Sequence, residues 1–321
     1  MPKSCKEAII DSLKMASCYP DCEMTELREK LAKKELGESA SFSNVIFGNG
    51  ASELIFALNL CLRPKTVMVT APTFKEYENA AIVSGSEVVY ETLQEQEAFI
   101  LTERILEHIT PEIELLFLCN PNNPTGQVIG RELLLKVAEK CEQTGTWFCL
   151  DECFLPFMGE EDEYTMRSLT GRFPHLMILK AFTKIYGMAG IRFGYLLSEN
   201  KELLEEIRQV IQPWNISVPA KAAAQAALYE DAYVEKTKQL IRDERSYLLN
   251  ELDRLGISVI GTPAANYIFF KERDDFAQRM LAKGVLIRSC SNYTGLSEGF
   301  YRIGVRTPEE NRALIRIWEE V

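Results

Sequence analysis

Short apolar runs that stop abruptly in polar loops set the limits on this chain. Leu115-Leu116-Phe117-Leu118-Cys119 runs into Asn120-Pro121-Asn122-Asn123-Pro124-Thr125-Gly126, and Trp147-Phe148-Cys149-Leu150 runs into Asp151-Glu152. Met177-Ile178-Leu179 feeds a third such junction, Lys180-Ala181-Phe182-Thr183-Lys184. Brief unbroken apolar runs bounded by turn residues read as strands buried on both faces. Stretches with helical spacing lie between them, so the chain reads as an α/β protein with a mostly parallel, doubly wound sheet. Further strands are expected at Asn44-Val45-Ile46-Phe47, Thr66-Val67-Met68-Val69-Thr70 and Glu87-Val88-Val89-Tyr90. In such sheets ligands bind at the carboxyl ends of the strands.

The chain has 321 residues, enough for one large domain and a smaller one. Its net charge of −11 argues against nucleic-acid or anionic-membrane partners, though focused arginines could still hold a small anion. No apolar run is long enough to span a membrane. The nine cysteines show no CxxC spacing and there are only two histidines, so no metal site is expected. The cysteines read as reduced core residues of a cytoplasmic protein.

Residues 1–37 read as two amphipathic helices around Tyr19-Pro20-Asp21. Ile9, Ile10, Leu13 and Met15 are the apolar positions of the first, Leu27, Leu31 and Leu36 those of the second, and Gly37 is its stop. Gly48-Asn49-Gly50-Ala51-Ser52-Glu53 is a glycine turn that opens a helix, which offers free N–H groups and a positive dipole end to a phosphate. Glu53 stands where a dinucleotide fingerprint has its third glycine, so a single-phosphate seat is the better reading. Phe74, at the entry to the next helix, could cover a planar ligand or simply pack. Asp151 is either a structural ion-pair partner or the counter-charge of a protonated ring nitrogen.

Lys184, set among Phe182, Thr183, Ile185 and Tyr186, is a candidate for a desolvated, nucleophilic amine able to form a Schiff base. Arg192 would supply a planar fork for a phosphate. The alternative is a strand and turn with a solvated lysine. Helical spacing dominates from about Lys201 to Leu255. Short strands at Ile257-Ser258-Val259-Ile260, Tyr267-Ile268-Phe269-Phe270, Val285-Leu286-Ile287 and Phe300-Tyr301-Arg302-Ile303-Gly304-Val305 then mix with two helices. The expected division is an N-terminal helical segment at 1–37 packing with the small domain, a large domain at 38–230 and a smaller α+β domain at 231–321. Arg288, Arg302 and Arg306 lie on or beside apolar strands and read as an anion clamp.

Asn120-Pro121-Asn122-Asn123-Pro124-Thr125-Gly126, Asp151-Glu152, and Thr183-Lys184 with Arg192-Phe193-Gly194-Tyr195 follow one another in the order that resembles the fold-type I pyridoxal-phosphate enzymes of the class I/II aminotransferase family. The resemblance covers nearly the whole chain. It implies pyridoxal 5'-phosphate as cofactor, carried covalently by Lys184, which later moves protons. It places Asp151 at the pyridinium nitrogen, Asn123 at the phenolic oxygen and Phe74 on the ring face. It gives the cofactor phosphate to Ala51, Ser52, Thr183 and Arg192, with Tyr19 reaching the phosphate of a neighbouring subunit in a homodimer with shared sites. Arg302, with Arg288 as companion and Asn123 beside them, becomes the substrate-anion site.

Three departures stand out. Phe154 replaces the family's usual tyrosine, Ala181 its usual hydroxyl residue, and an N-terminal stretch that closes the substrate pocket in the family is expected before Met1. Gly48 to Ile55, Phe182-Thr183-Lys184, Gln212-Pro213-Trp214, Ser291 to Leu296 and Val305-Arg306-Thr307 look more like threonine-phosphate decarboxylases, of the cobalamin pathway, than like histidinol-phosphate aminotransferases, of histidine synthesis. Both branches use a small phosphorylated substrate. A protein that keeps the fold without catalysis is the remote third reading.

Overall fold

The computed structural model describes residues 1–321. In chain order the elements are α1 (Lys3–Ser12), α2 (Thr25–Leu36), β1 (Val45–Gly48), α3 (Ala51–Leu62), β2 (Thr66–Ala71), α4 (Glu76–Val83) and β3 (Glu87–Thr92). Next come α5 (Ile105–His108), β4 (Leu115–Cys119), α6 (Arg131–Thr144), β5 (Trp147–Asp151), α7 (Glu161–Tyr164), β6 (Leu176–Ala181), α8 (Phe182–Ile185) and β7 (Gly194–Leu197). The rest is α9 (Lys201–Val210), α10 (Val218–Ala227), α11 (Asp231–Arg254), β8 (Ser258–Val259), β9 (Tyr267–Lys271), α12 (Phe276–Ala282), β10 (Arg288–Ser289), β11 (Phe300–Gly304) and α13 (Pro308–Trp318).

The large sheet has seven strands in the order β1-β7-β6-β5-β4-β2-β3. All neighbours from β6 to β3 are parallel, whereas β7 runs against both β6 and β1. Only β7 therefore opposes the common direction, as the mostly parallel reading requires. The apolar runs face both ways. Leu115, Phe117 and Cys149 join the apolar layer beneath α3, α4 and α9, while Leu116, Leu118 and Leu150 join the larger layer on the other face. That two-residue alternation sends Asp151 and Glu152, and likewise Ala181 and Lys180, to opposite faces.

The small sheet is antiparallel throughout, in the order β10-β11-β9-β8. Phe270, Phe276 and Trp318 pack its core, with ring centroids 4.7 Å apart for Phe276 and Trp318. The strand expected at Val285–Ile287 forms instead at Arg288–Ser289, leaving Leu286 84% exposed. A single pairing partner, β11, limits that edge strand to its two paired residues.

The N-terminal segment also differs from expectation. Its first helix stops at Ser12 and tightens into a 3-10 turn over Leu13–Met15, and Ile10, Leu13 and Met15 are exposed. Helical spacing put these residues on one stripe, but nothing in this chain covers it. The segment lies along α10 and β1 rather than on the small sheet. It reaches the C-terminal part at the start of α11, where Lys34 pairs with Asp231 at 2.6 Å and the Met1 amino group donates to Tyr233 at 3.1 Å. Gly37 does end α2, with a φ of +97°. Two cysteines expected in the core, Cys18 and Cys22, are exposed on the connection between α1 and α2.

Candidate active site

Five parallel-direction strands deliver their carboxyl ends to one rim. β1 leads through Gly50 into Ala51 and Ser52; β2 leads to Phe74 and Tyr77; β4 to Asn123; β5 ends on Asp151; β6 leads to Thr183 and Lys184. β7 runs the other way, so the residues before it, Arg192 among them, reach the same rim. A cavity of about 160 Å³ there is lined by Ala51, Ser52, Phe74, Asn123, Asp151, Thr183, Lys184 and Arg192, eight residues that sequence reasoning singled out. Tyr77, Cys119, Cys153 and Phe154 complete the wall. Tyr19 is not part of it. It is 78% exposed and lies against Trp214, with ring centroids 4.6 Å apart.

One end of the cavity is made of donors. α3 starts on Gly50 with no side-chain cap, so the first-turn N–H groups of Ala51 and Ser52 are free. The Ser52 and Thr183 hydroxyls have no protein partner. Arg192 holds a left-handed φ of +62°, a costly conformation for a non-glycine residue, and this brings its guanidinium over Gly50. A Cβ on Gly50 would stand 2.3 Å from Arg192 Nη2, and one on Gly194 would stand 2.5 Å from the Ala51 nitrogen. Only glycine leaves this cradle open.

The other end holds Asp151, 5% exposed. Its carboxylate accepts from the Tyr77 hydroxyl at 2.6 Å and from the Cys153 N–H at 2.8 Å, and no cation pairs with it. Burial first, and then the Asp151 charge, push the Tyr77 phenol well above its ordinary value, so Tyr77 stays a donor. The same two causes raise the Cys153 thiol. Tyr77 stacks on Phe117 at 5.0 Å and meets Phe74 edge-on at 5.6 Å, which fixes both rings.

Lys184 corrects an expectation. Its neighbours Phe182, Thr183, Ile185 and Tyr186 are buried, but its own side chain is exposed to the cavity, so burial does not desolvate it. The reason is local. α8 is a single turn at the rim, and its inward positions are taken by the flanking residues. The Lys184 amine lies 4.9 Å from the centroid of the Phe154 ring and has no ion pair or hydrogen bond. Phe154, itself held edge-on against Tyr267 at 4.9 Å, thus offers a π face where a tyrosine would offer a hydroxyl.

Asn123 connects this cavity to a second, of about 740 Å³, that shares Phe154 and Lys184 and is lined by Arg288, Arg302 and Arg306. Asn123 Oδ1 accepts from Arg302 and from the Tyr293 hydroxyl, so its amide N–H₂ is turned toward the first cavity with no protein acceptor. Arg288 and Arg302 face each other across β10 and β11. Like charges directly opposite each other on a sheet repel. Neither pairs with a carboxylate: Arg302 donates to Asn123 and sits 4.8 Å over Tyr267, and Arg288 donates to Asn292 Oδ1 at 2.9 Å and sits 5.5 Å over Tyr293. An anion between them would relieve that repulsion. Tyr77, Tyr267 and Tyr293 were missed in the sequence. Tyr77 could have been found one turn beyond Phe74, but its partner Asp151 lies 74 residues away.

The crystal structure of the histidinol-phosphate aminotransferase from Clostridium acetobutylicum matches with a TM-score of 0.91 at 28% identity, covering 100% of this chain and 95% of that one. The architecture is that of the fold-type I pyridoxal-phosphate enzymes. The family model described as aminotransferase class I and II matches residues 1–317, and the chain belongs to that family of enzymes, which in general depends on pyridoxal phosphate. Among curated relatives, threonine-phosphate decarboxylase of Salmonella typhimurium is 34% identical over 98% of this chain and 86% of its own length. Histidinol-phosphate aminotransferase of Methanosphaera stadtmanae is 28% identical over 100% of this chain and 86% of its own.

Proposed function

We propose that the chain binds pyridoxal 5'-phosphate and acts on a small phosphorylated amino acid, with L-threonine O-3-phosphate decarboxylation as the leading reaction. One observation carries the reading: a buried carboxylate without a cation and a lysine without an anion line one cavity and are not paired with each other. A buried charge left so is costly unless a ligand completes it. The residues fit the cofactor end to end. Ala51, Ser52, Thr183 and Arg192 suit its phosphate, the Asn123 amide its phenolic oxygen, Phe74 its ring face and Asp151 its protonated ring nitrogen. When bound, the cofactor supplies the electron sink that lets a bond at the substrate Cα break heterolytically.

The protein's own part is to bind, orient and move protons. Lys184 would hold the cofactor covalently through its amine and, once released by the substrate, would stand beside the substrate Cα as the proton carrier. Asp151, kept in place by Tyr77 and the Cys153 N–H, supplies fixed negative charge. Arg302, anchored on Asn123, and Arg288 hold the substrate's anionic groups, so the scissile bond is oriented by the contact that also positions Asn123. Supporting the decarboxylase branch are the 34% identity over 98% of the chain to the Salmonella typhimurium enzyme and the resemblance of the Gly48–Ile55 and Ser291–Leu296 segments.

The second reading is transamination by a histidinol-phosphate-type aminotransferase with 2-oxoglutarate as acceptor, favoured by the structural likeness at a TM-score of 0.91. Incubating the purified protein with threonine phosphate or histidinol phosphate, and measuring CO₂ and glutamate in parallel, separates the two. CO₂ without a keto-acid requirement supports the first, and glutamate production supports the second. Arg302→Ala should raise the substrate KM by roughly tenfold to a hundredfold or more while the cofactor still binds, the effect of removing one partner from a desolvated ion pair. An unchanged KM would take Arg302 out of the pocket.

A cytoplasmic homodimer goes with this reading. The uncovered side chains of Ile10, Leu13, Met15 and Tyr19 form an apolar surface that a second copy would cover, bringing Tyr19 toward the neighbour's phosphate seat. All nine cysteines are free thiols, which suits a reducing compartment. The division into 1–37, 38–230 and 231–321 remains the working division, with α11 opening the last part at Asp231.

A further inference from the structure

The loop of residues 291–296 leaves the small sheet after β10 and crosses to the rim of the large one. Its main chain turns on itself, with the Tyr293 N–H donated to the Cys290 carbonyl and the Leu296 N–H to the Tyr293 carbonyl, both at 3.0 Å. Three successive residues then touch the rim. The Tyr293 hydroxyl donates to Asn123 Oδ1 at 3.2 Å. Thr294 Oγ1 donates to Glu78 Oε2 at 2.8 Å. Gly295, at a φ of +87°, lies so close to the end of β2 that a Cβ there would stand 3.3 Å from the Ala71 carbonyl.

Of the three contacts, only the one at Thr294 ends on a charged acceptor, the stronger kind of hydrogen bond. The Glu78 side chain is 14% exposed, and Lys75 meets its other oxygen, Oε1, at 3.1 Å. Burial works against that charge, but the bonds from Thr294 and Lys75 outweigh it and hold the carboxyl below its ordinary value. Glu78 follows Tyr77 directly at the start of α4, so the helix that brings Tyr77 to Asp151 also anchors the loop. The loop in turn supports Arg288. β10 has two residues and a single pairing partner, so the strand alone gives that arginine little hold. Arg288 Nη2 donates to Asn292 Oδ1 at 2.9 Å, and the guanidinium lies 5.5 Å from the Tyr293 ring centroid. Both supports are loop residues.

We propose that Thr294 and Glu78 form a latch that sets Arg288 in the cavity it shares with Arg302, and that both are positioning residues for the anionic end of the substrate. The inference rests on the substrate reading of that cavity. Neither Thr294 nor Glu78 lines it or the cavity of Lys184 and Asp151, so their effect on substrate passes through Arg288 and its loop. With the latch made, the guanidinium is held before substrate arrives, and less ordering is left to be done on binding.

The test uses the full chain loaded with pyridoxal phosphate, with threonine phosphate and histidinol phosphate as probes. Thr294→Val removes the hydroxyl and keeps the branched shape. It should raise the KM for the ester that is turned over by about tenfold, the loss of one hydrogen bond to a charged group, with cofactor affinity unchanged. Thr294→Ser should keep the wild-type KM. In an Arg288→Ala background Thr294→Val should add almost nothing, because the latch acts through that arginine. Hydrogen exchange without substrate separates the latch from the substrate reading: the Tyr293 and Leu296 amides should exchange about tenfold faster in Thr294→Val than in wild type or Thr294→Ser. That acceleration in a protein that turns over neither ester would keep the latch and remove the substrate reading. Exchange unchanged in Thr294→Val, an unchanged KM, or a full additive effect on top of Arg288→Ala would each overturn the latch.

Discussion

Lys180 and Lys184 stand one helical turn's length apart in sequence and occupy opposite situations. Lys180 is 4% exposed at the end of β6 and is met by Glu161 at 2.7 Å and Glu35 at 3.0 Å, with Arg167 3.6 Å from the same Glu35 oxygen. Tyr195 donates to the other Glu35 oxygen at 2.6 Å. Burial works against that ammonium, but the two glutamates outweigh it and its pKa is raised, so it stays charged. Lys184 is exposed to the cavity at the rim of the large sheet and has no anionic partner. The adjacent acids divide in the same way. Glu152 faces Lys180's layer, is fully buried and satisfied by Thr165 at 2.7 Å and the Met166 N–H at 2.9 Å, while Asp151 faces Lys184's cavity without a cation. A saturated charge does structural work. A charge left incomplete is available for chemistry.

The contrast can be broken first at Lys184. Lys184→Ala should abolish the near-visible absorbance of the cofactor-loaded protein and lower turnover by roughly 10³-fold or more, with the fold intact by circular dichroism. A surviving absorbance would reject the lysine. Lys180→Met should do the reverse. It leaves the half-buried Glu35 and Glu161 with Arg167 as their one remaining cation and should cost up to about 3–5 kcal/mol in urea unfolding, while the folded fraction still takes up cofactor. A loss of cofactor binding without a loss of stability would exchange the two roles.

Glu152 sharpens the comparison through pH. Burial pushes its carboxyl up to about 7. An acid whose folded pKa lies above its unfolded value of about 4.3 holds its proton longer when folded, so stability falls as pH rises between those values. Glu152→Gln should flatten that part of the stability–pH curve by a few kcal/mol, measured by unfolding from pH 4 to pH 8. An unchanged slope would place the proton elsewhere. The smallest effect is expected at Tyr77. Tyr77→Phe removes one hydrogen bond to a charged group, worth about 1.5–3 kcal/mol, and should weaken cofactor binding by tenfold or somewhat more at unchanged stoichiometry. Equal affinity would mean that Asp151 is held by the Cys153 N–H alone.

Much of the rim was legible because it is a property of strand ends. Asp151 follows an apolar run directly, and Asn123 and Lys184 stand in the short segments that follow theirs, so their convergence follows once the strands are parallel. The helix-opening glycines before Ala51 were readable for the same reason. What failed were statements about burial. Lys184 was expected to be desolvated because its sequence neighbours are apolar, yet those neighbours turn inward and leave it in the opening. Ile10, Leu13 and Met15 were given a buried stripe that this chain does not supply. The expected strand at Val285–Ile287 shifted to the residues that pair with β11.

Local periodicity and the chemistry of strand ends thus specified the sheet, its direction and the residues on its rim, since both are encoded by neighbours a few positions apart. The pairing of Asp151 with Tyr77, of Asn123 with Arg302, and of Lys180 rather than Lys184 with glutamates was decided only in three dimensions. Those contacts join residues separated by 74, 179 and 145 positions, and which charge is satisfied depends on the element that packs across from it.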